Sequence, residues 1–129
     1  MKIDHVALWT NKLEEMKDFY VVFFKGTAND KYINSLKNFE SYFITFLSGA
    51  KMEIMRKPEI IDAKTEVDKQ YLGFVHIAFS VGSKEAVEEL TTKLAKRGCQ
   101  IISAPRTTGD GYYESCILDP DGNKIEITE

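Results

Sequence analysis

Half-cystines, basic excess and long apolar runs are all scarce in this chain of 129 residues. Only Cys99 and Cys116 carry thiols. The start, Met1-Lys2-Ile3-Asp4-His5, lacks the apolar stretch and small-residue cleavage site of a secretory signal. Two cysteines in such a chain read as reduced thiols rather than a disulfide framework, and the expected location is cytoplasmic. The formal charge of −3 and pI near 5.5 give no basic surface for nucleic acid or anionic lipid. The apolar run Tyr20-Val21-Val22-Phe23-Phe24 stops at Lys25, far short of the roughly 20 residues that span a bilayer. What remains is ordinary globular material, 43% hydrophobic and 29% charged, long enough to bury one core.

Histidine is equally sparse, with two residues, and their placement is the informative feature. Asp4-His5-Val6-Ala7-Leu8 is echoed by Val75-His76-Ile77-Ala78-Phe79, and Gly49-Ala50-Lys51-Met52-Glu53-Ile54 by Gly122-Asn123-Lys124-Ile125-Glu126-Ile127. A third echo joins Gly26 to Gly98. Self-similarity at a fixed offset indicates two copies of one supersecondary unit.

Each copy reads as β-α-β-β-β. In the first, Ile3 to Trp9 alternates like a strand, and Asn11 followed by Glu14 resembles a capping box. Leu13, Met16, Tyr20 and Phe23 recur at helical spacing until Gly26. The polar stretch 27–38 is expected to hold one irregular strand, and 39–47 and 51–56 are strands joined through Ser48-Gly49. In the second, 74–81 is the first strand, and Ser83 caps a helix with Val87, Leu90 and Leu94 on one stripe, ending at Gly98. Residues 99–103 read as a short strand, 104–110 as a loop, and 111–118 and 124–128 as strands about the turn Asp119-Pro120-Asp121-Gly122. The expected organisation is one domain over 1–129, with module 1 at 1–56, a polar linker at 57–73 and module 2 at 74–129.

Alternation along a strand fixes which way the candidate residues point. Val6, Leu8, Met52, Ile54, Ile77, Phe79, Ile125 and Ile127 form the apolar sets, and His5, Glu53, His76 and Glu126 point the opposite way. Small neighbours, Ala7 and Ala78, leave room on that side. A single strand histidine is ordinarily a packed or hydrogen-bonded residue, and a glutamate beside lysine is ordinarily solvated. Recurrence of both at corresponding positions of two diverged copies turns the set into a metal-ligand constellation. Imidazole and carboxylate donors suit Zn²⁺, Ni²⁺, Co²⁺, Mn²⁺ or Fe²⁺, and four protein ligands leave two octahedral positions open. Such a site is a Lewis acid with a carboxylate beside it able to move a proton.

These residues, with the segment from Gly111-Tyr112-Tyr113-Glu114-Ser115 through Asp119-Pro120-Asp121-Gly122-Asn123-Lys124-Ile125-Glu126, resemble the vicinal oxygen chelate superfamily, the fold of glyoxalase I, bleomycin-resistance proteins and extradiol dioxygenases. The resemblance implies an α+β fold of two βαβββ modules forming an incomplete barrel around a central cavity, completed within the chain or by a second subunit, and hence a homodimer. It implies a divalent metal held by His5, Glu53, His76 and Glu126, with a small-molecule substrate. Dioxygenases of this superfamily use two histidines and one glutamate, so a fourth ligand at Glu53 favours the glyoxalase I branch. The chemistry implied is a lactoylglutathione lyase-like proton transfer next to a carbonyl, with Glu126 as the base and Glu53 the other candidate. Bacterial glyoxalase I has an arginine four residues after the first histidine, where this chain has Trp9, and a glutathione adduct is therefore a poor substrate. Of the three arginines, Arg56, Arg97 and Arg106, the last reads as an exposed loop cation or as a contact for an anionic substrate. Trp9, Phe43 and Tyr113 are expected either to line the cavity or to pack in the core. The other functions open to the fold are a non-catalytic binder of a drug or metabolite and an extradiol-type dioxygenase.

Overall fold

The computed structural model describes residues 1–61, 66, 69, 70 and 72–129; the part of the expected linker at 62–65, 67, 68 and 71 lies outside the described residues. The chain divides into two compact units, Met1–Lys64 and Thr65–Glu129. Unit 1 runs β1 (His5–Trp9), α1 (Leu13–Phe24), β2 (Thr27–Ala28), β3 (Tyr32–Asn34), β4 (Phe39–Thr45) and β5 (Lys51–Arg56). Unit 2 runs β6 (His76–Ser80), α2 (Lys84–Lys96), β7 (Ile101–Thr107), β8 (Tyr113–Leu118) and β9 (Lys124–Thr128). Each unit is α+β, with a helix on one face of an open sheet. Among the described residues no helix is long and apolar enough to cross a membrane.

In both sheets the first strand lies at an edge, parallel to the last strand of its own unit. The orders are β1-β5-β4-β2, with β3 also on β4, and β6-β9-β8-β7. The helices pack over the inner strands, which decides where the core sits. Met52 and Ile54 of β5 and Ile44 of β4 are buried with Leu13, Met16, Phe19 and Tyr20 of α1. Ile125 and Ile127 of β9 and Ile117 of β8 are buried with Val87 and Leu94 of α2. Each such apolar side chain contributes about 1.5–3 kcal/mol by leaving water. The expected apolar sets are buried fully only on the inner strands. Val6 on edge strand β1 stays 41% exposed, and Leu8, Ile77 and Phe79 are only partly covered.

Several local expectations change. The N-cap of α1 is Lys12 with no side-chain cap, in place of the Asn11–Glu14 box. Thr10, buried and donating its N–H to Met55 O at 2.8 Å, accepts from Lys12 N–H with its Oγ1 at 2.8 Å, and so fixes the entry to the helix. Glu14 instead meets Lys31 Nζ at 2.6 Å and accepts from Tyr42 Oη at 3.1 Å, and the Lys31 contact holds its carboxyl below the usual range. The stretch 27–38 holds two short strands, β2 and β3, rather than one. β7 runs on through Pro105 to Thr107, where a loop was expected; an edge strand tolerates the missing N–H, and its register shifts between Ile101 and Ser103 and again between Ser103 and Arg106. Ser83 caps α2 as expected, accepting from Ala86 N–H at 3.2 Å.

The two equivalent glycines serve different ends. Gly98, at φ +86°, closes α2 with Cys99 N–H on Leu94 O and Gly98 N–H on Ala95 O, a Schellman arrangement that favours glycine. In α1 the left-handed residue is Lys25, at φ 55°, and Gly26 is needed because a Cβ there would run into the Ile44 side chain. Gly26→Ala should therefore cost about 1–3 kcal/mol through overpacking. Gly98→Asn should be tolerated, since asparagine accepts the left-handed region. Urea unfolding of both variants checks this, with Gly26→Asn expected to be worse than Gly26→Ala.

Candidate functional site

The face of each sheet away from its helix carries the candidate residues in cross-strand rows. In unit 1 the rows are His5–Lys51–Thr45, Ala7–Glu53–Phe43 and Trp9–Met55–Ser41–Tyr32. In unit 2 they are His76–Lys124–Leu118, Ala78–Glu126–Cys116–Ser103 and Ser80–Thr128–Glu114–Arg106. In each unit the histidine reaches diagonally past its direct neighbour, a lysine, to the glutamate one row on. Alanine beside the glutamate in that next row, Ala7 or Ala78, leaves the diagonal open.

The resulting pairs use the same atoms. His5 Nε2 lies 3.8 Å from Glu53 Oε2, and His76 Nε2 lies 3.1 Å from Glu126 Oε2. Two donors each about 2.1 Å from one ion and at right angles around it stand about 3.0 Å apart, so the second pair has the spacing of one coordination edge. The first needs less than about 1 Å of side-chain movement to match. His5 Nδ1 lies 2.9 Å from Asp4 Oδ2, which also meets Lys51 Nζ at 2.9 Å. These partners, His5 first, hold the Asp4 carboxyl below its usual range. An ionised carboxylate only accepts, so Nδ1 carries the proton in that contact, and the ring presents Nε2 to Glu53. Carboxylate support of this kind fixes the orientation and tautomer of a ligand histidine. Asp4 was missed in the sequence; its adjacency to His5 was the available signal, and Val75 stands at the matching place in the second copy.

The structure thus brings together His5 with Glu53 and His76 with Glu126. Among the described residues no group of three or more His, Cys, Asp or Glu is gathered closely enough to hold a metal ion. Within each unit the pair is one imidazole and one carboxylate.

The surroundings of the two pairs differ. Glu53 stands opposite Phe43, whose ring packs edge-on against His5 with centroids 5.3 Å apart, and Lys51 Nζ lies 5.8 Å from the Phe43 centroid. Further along, Trp9, 42% exposed, packs edge-on against Phe39, which meets Tyr32. Trp9 and Phe43 therefore share the His5–Glu53 face. Tyr113 does not belong with them: it points to the helix side, donating from Oη to Glu88 Oε1 at 2.7 Å under Lys84, because Glu114 beside it takes the open face. In unit 2 the neighbours of Glu126 are Cys116 directly opposite and Glu114 one row on. Burial, then the Glu126 charge, pushes the Cys116 thiol up, and the same two causes raise the Glu114 carboxyl.

Over residues 2–127 the chain matches the Glyoxalase/Bleomycin resistance protein/Dioxygenase superfamily, and it belongs to that family. Its sequence is 26% identical to the uncharacterised protein YqjT of Bacillus subtilis (strain 168), across 95% of this chain and 94% of that one. The fold matches a glyoxalase family protein of Enterococcus faecalis with a TM-score of 0.79 at 24% identity, covering 99% and 97% of the two chains. A glyoxalase I mutant from Zea mays also matches, with a TM-score of 0.79 at 18% identity; 98% of this chain covers 44% of the maize chain, so the present protein spans less than half of that length.

Because Cys116 is half-buried beside Glu126, its thiolate fraction at pH 8 should be low and its alkylation slow. Glu126→Gln removes the negative charge and should speed iodoacetamide labelling of Cys116 by roughly two- to threefold. Labelling of Cys99, which is raised by burial alone, should stay unchanged; mass spectrometry of the two cysteine peptides reads both rates.

Proposed function

We propose that the protein is a metal-dependent glyoxalase-type lyase or isomerase that moves a proton next to the carbonyl of a small chelating substrate. The observation that carries this reading is the repeated diagonal, with Nε2 facing Oε2 in both units and a 3.1 Å spacing at His76–Glu126. Members of the superfamily commonly use divalent metals. In this reading His5, Glu53, His76 and Glu126 hold Zn²⁺, Ni²⁺, Co²⁺, Mn²⁺ or Fe²⁺, and the two pairs act as one functional domain, in a homodimer working in the cytoplasm.

The ion, when bound, polarises the vicinal oxygens of the substrate as a Lewis acid. The rest of the chemistry belongs to the chain. Glu126 accepts the proton from the carbon next to the carbonyl and returns it to the neighbouring carbon, so that no proton is gained or lost over the cycle. Glu53 is the second candidate base. Asp4 holds His5 in its ligating tautomer, and the lysines beside the two histidines offset the carboxylate charge. Trp9, Phe39 and Tyr32 give the His5–Glu53 face an apolar end where an arginine would receive a glutathione carboxylate, and the substrate is accordingly a different small oxygenated compound.

Two experiments test the reading. Protein loaded separately with each divalent ion is assayed for isomerisation of hemithioacetals formed from methylglyoxal and small thiols. Activity should follow the metal, and Glu126→Gln should lower kcat by about 10²–10⁴ with metal retained. Absence of both bound metal and metal-stimulated proton exchange into substrate would rule the reading out; oxygen uptake with a catechol on the Fe²⁺ form would point to ring cleavage instead. Removal of the carboxylate behind His5 should act on affinity: Asp4→Asn is expected to weaken metal binding by about 10–100-fold in a competition titration with a chromogenic chelator.

A further inference from the structure

β7 shifts register twice against β8, and the second shift, between Ser103 and Arg106, changes which face a side chain joins. Ser103 pairs with Cys116 and Arg106 with Glu114, so three residue steps on β7 oppose two on β8. Side chains alternate along a regular strand, and residues three apart point to opposite faces. The extra residue in this bulge, next to Pro105, cancels that alternation and puts Ser103 and Arg106 on the same face. Bulges re-aim side chains in this way beside sites. The hydrogen bonding agrees: Arg106 Nη1 donates to Ser103 Oγ at 2.5 Å.

The face that Arg106 joins is the His76–Glu126 face. Ser103, Cys116, Glu126 and Ala78 form one cross-strand row, and Arg106, Glu114, Thr128 and Ser80 the next. With strands about 4.8 Å apart, the serine that anchors the guanidinium lies about 10 Å from Glu126. Arg106 makes no ion pair among the described residues, and Ser103 Oγ is its hydrogen-bond partner there, so most of its five donors face outward. Its positive charge opposes the upward push that burial and Glu126 exert on Glu114 and Cys116. The other two arginines are placed differently: Arg56 reaches Glu40 at 3.5 Å, and Arg97 caps α2.

We propose that Arg106, set by the β7 bulge and braced by Ser103, is a specificity residue that receives an anionic oxygen group of the substrate, a carboxylate or a phosphate, while the chelating end lies at His76 and Glu126. A face with two carboxylates, Glu114 and Glu126, repels an acidic substrate, and a fixed guanidinium fork reverses that locally and favours two-oxygen groups. The proposal rests on the metal-chelation reading and adds the class of substrate, a small acid.

The test uses three hydroxamates that share one chelating head: acetohydroxamate, succinic monohydroxamate with a carboxylate, and phosphonoacetohydroxamate with a phosphonate. Their affinities for the metal-loaded protein are measured by titration calorimetry, with Arg106→Gln and Arg106→Lys alongside and circular dichroism to confirm that each variant is folded. One acid-bearing compound should bind about tenfold more tightly than acetohydroxamate, and which one identifies the anion. In Arg106→Gln that ratio should fall to about one, and Arg106→Lys, a point charge without the fork, should keep only part of it. Equal affinities for all three compounds, or a preference that survives in Arg106→Gln, overturns the assignment. Failure of the chelation reading shows separately, as no binding of the neutral hydroxamate. The acid-bearing compounds still read Arg106 in that case, and their failure to bind overturns it as well.

Discussion

The parallel ladder between the first and last strand of each unit is the constraint on which the rest depends. It sets His5 against Lys51 and His76 against Lys124, so the glutamate two residues on in β5 or β9 falls on the open diagonal from the histidine. A shift of one residue in either ladder would turn the glutamate under the helix, where Met52, Ile54, Ile125 and Ile127 are buried. The apolar residues that alternate with the histidines and glutamates therefore hold the register. The same side chains that stabilise the unit keep the donors pointing away from it.

Much of this could be read from the chain because it depends on period and repetition. Both histidines and both glutamates recur at matched places, the inner-strand isoleucines alternate with them, and Ser83 and the Asp119 turn carry their own local signals. In that turn Asp119 accepts from the N–H of Asp121 and of Asn123 at 3.0 and 2.9 Å, which is what its Asp-Pro-Asp-Gly sequence favours. What escaped were features set by neighbours distant in sequence. Thr10 displaces Asn11 from the start of α1 because a backbone bond to Met55 fixes it there. β7 continues past Ala104 because it is an edge strand, a property of the sheet rather than of the segment. Tyr113 lies on the helix side because a bulge-bearing partner and Glu114 set its face. The support given by Asp4 to His5 was adjacent in sequence but unmatched in the second copy, so the repeat could not reveal it.

Divergence between the copies is as instructive as their likeness. The residue across from the glutamate is Phe43 in one unit and Cys116 in the other. One open face becomes aromatic, with Phe43, Trp9, Phe39 and Tyr32, and the other polar, with Cys116, Glu114, Ser103 and Arg106. Beneath the sheets the trend runs the same way. Unit 2 buries a hydroxyl pair, Thr91 Oγ1 and Ser115 Oγ at 2.6 Å, with Thr91 also donating to Val87 O, whereas α1 buries Phe19 and Tyr20. Duplication preserved the donors while the two faces acquired different solvation chemistry.

The bulged stretch of β7 has one more consequence, for how the molecule keeps to itself. An edge strand offers unpaired N–H and C=O groups in a line, and a straight one invites a stranger's strand to add on. Here Pro105 removes a donor, two register shifts bend the line, and Arg106 places charge on it. In unit 1 the edge strand β2, at the end of the sheet away from β1, is guarded more simply, by its two-residue length. The irregularity at β7 thus also interrupts a template on which cross-β aggregates would otherwise grow.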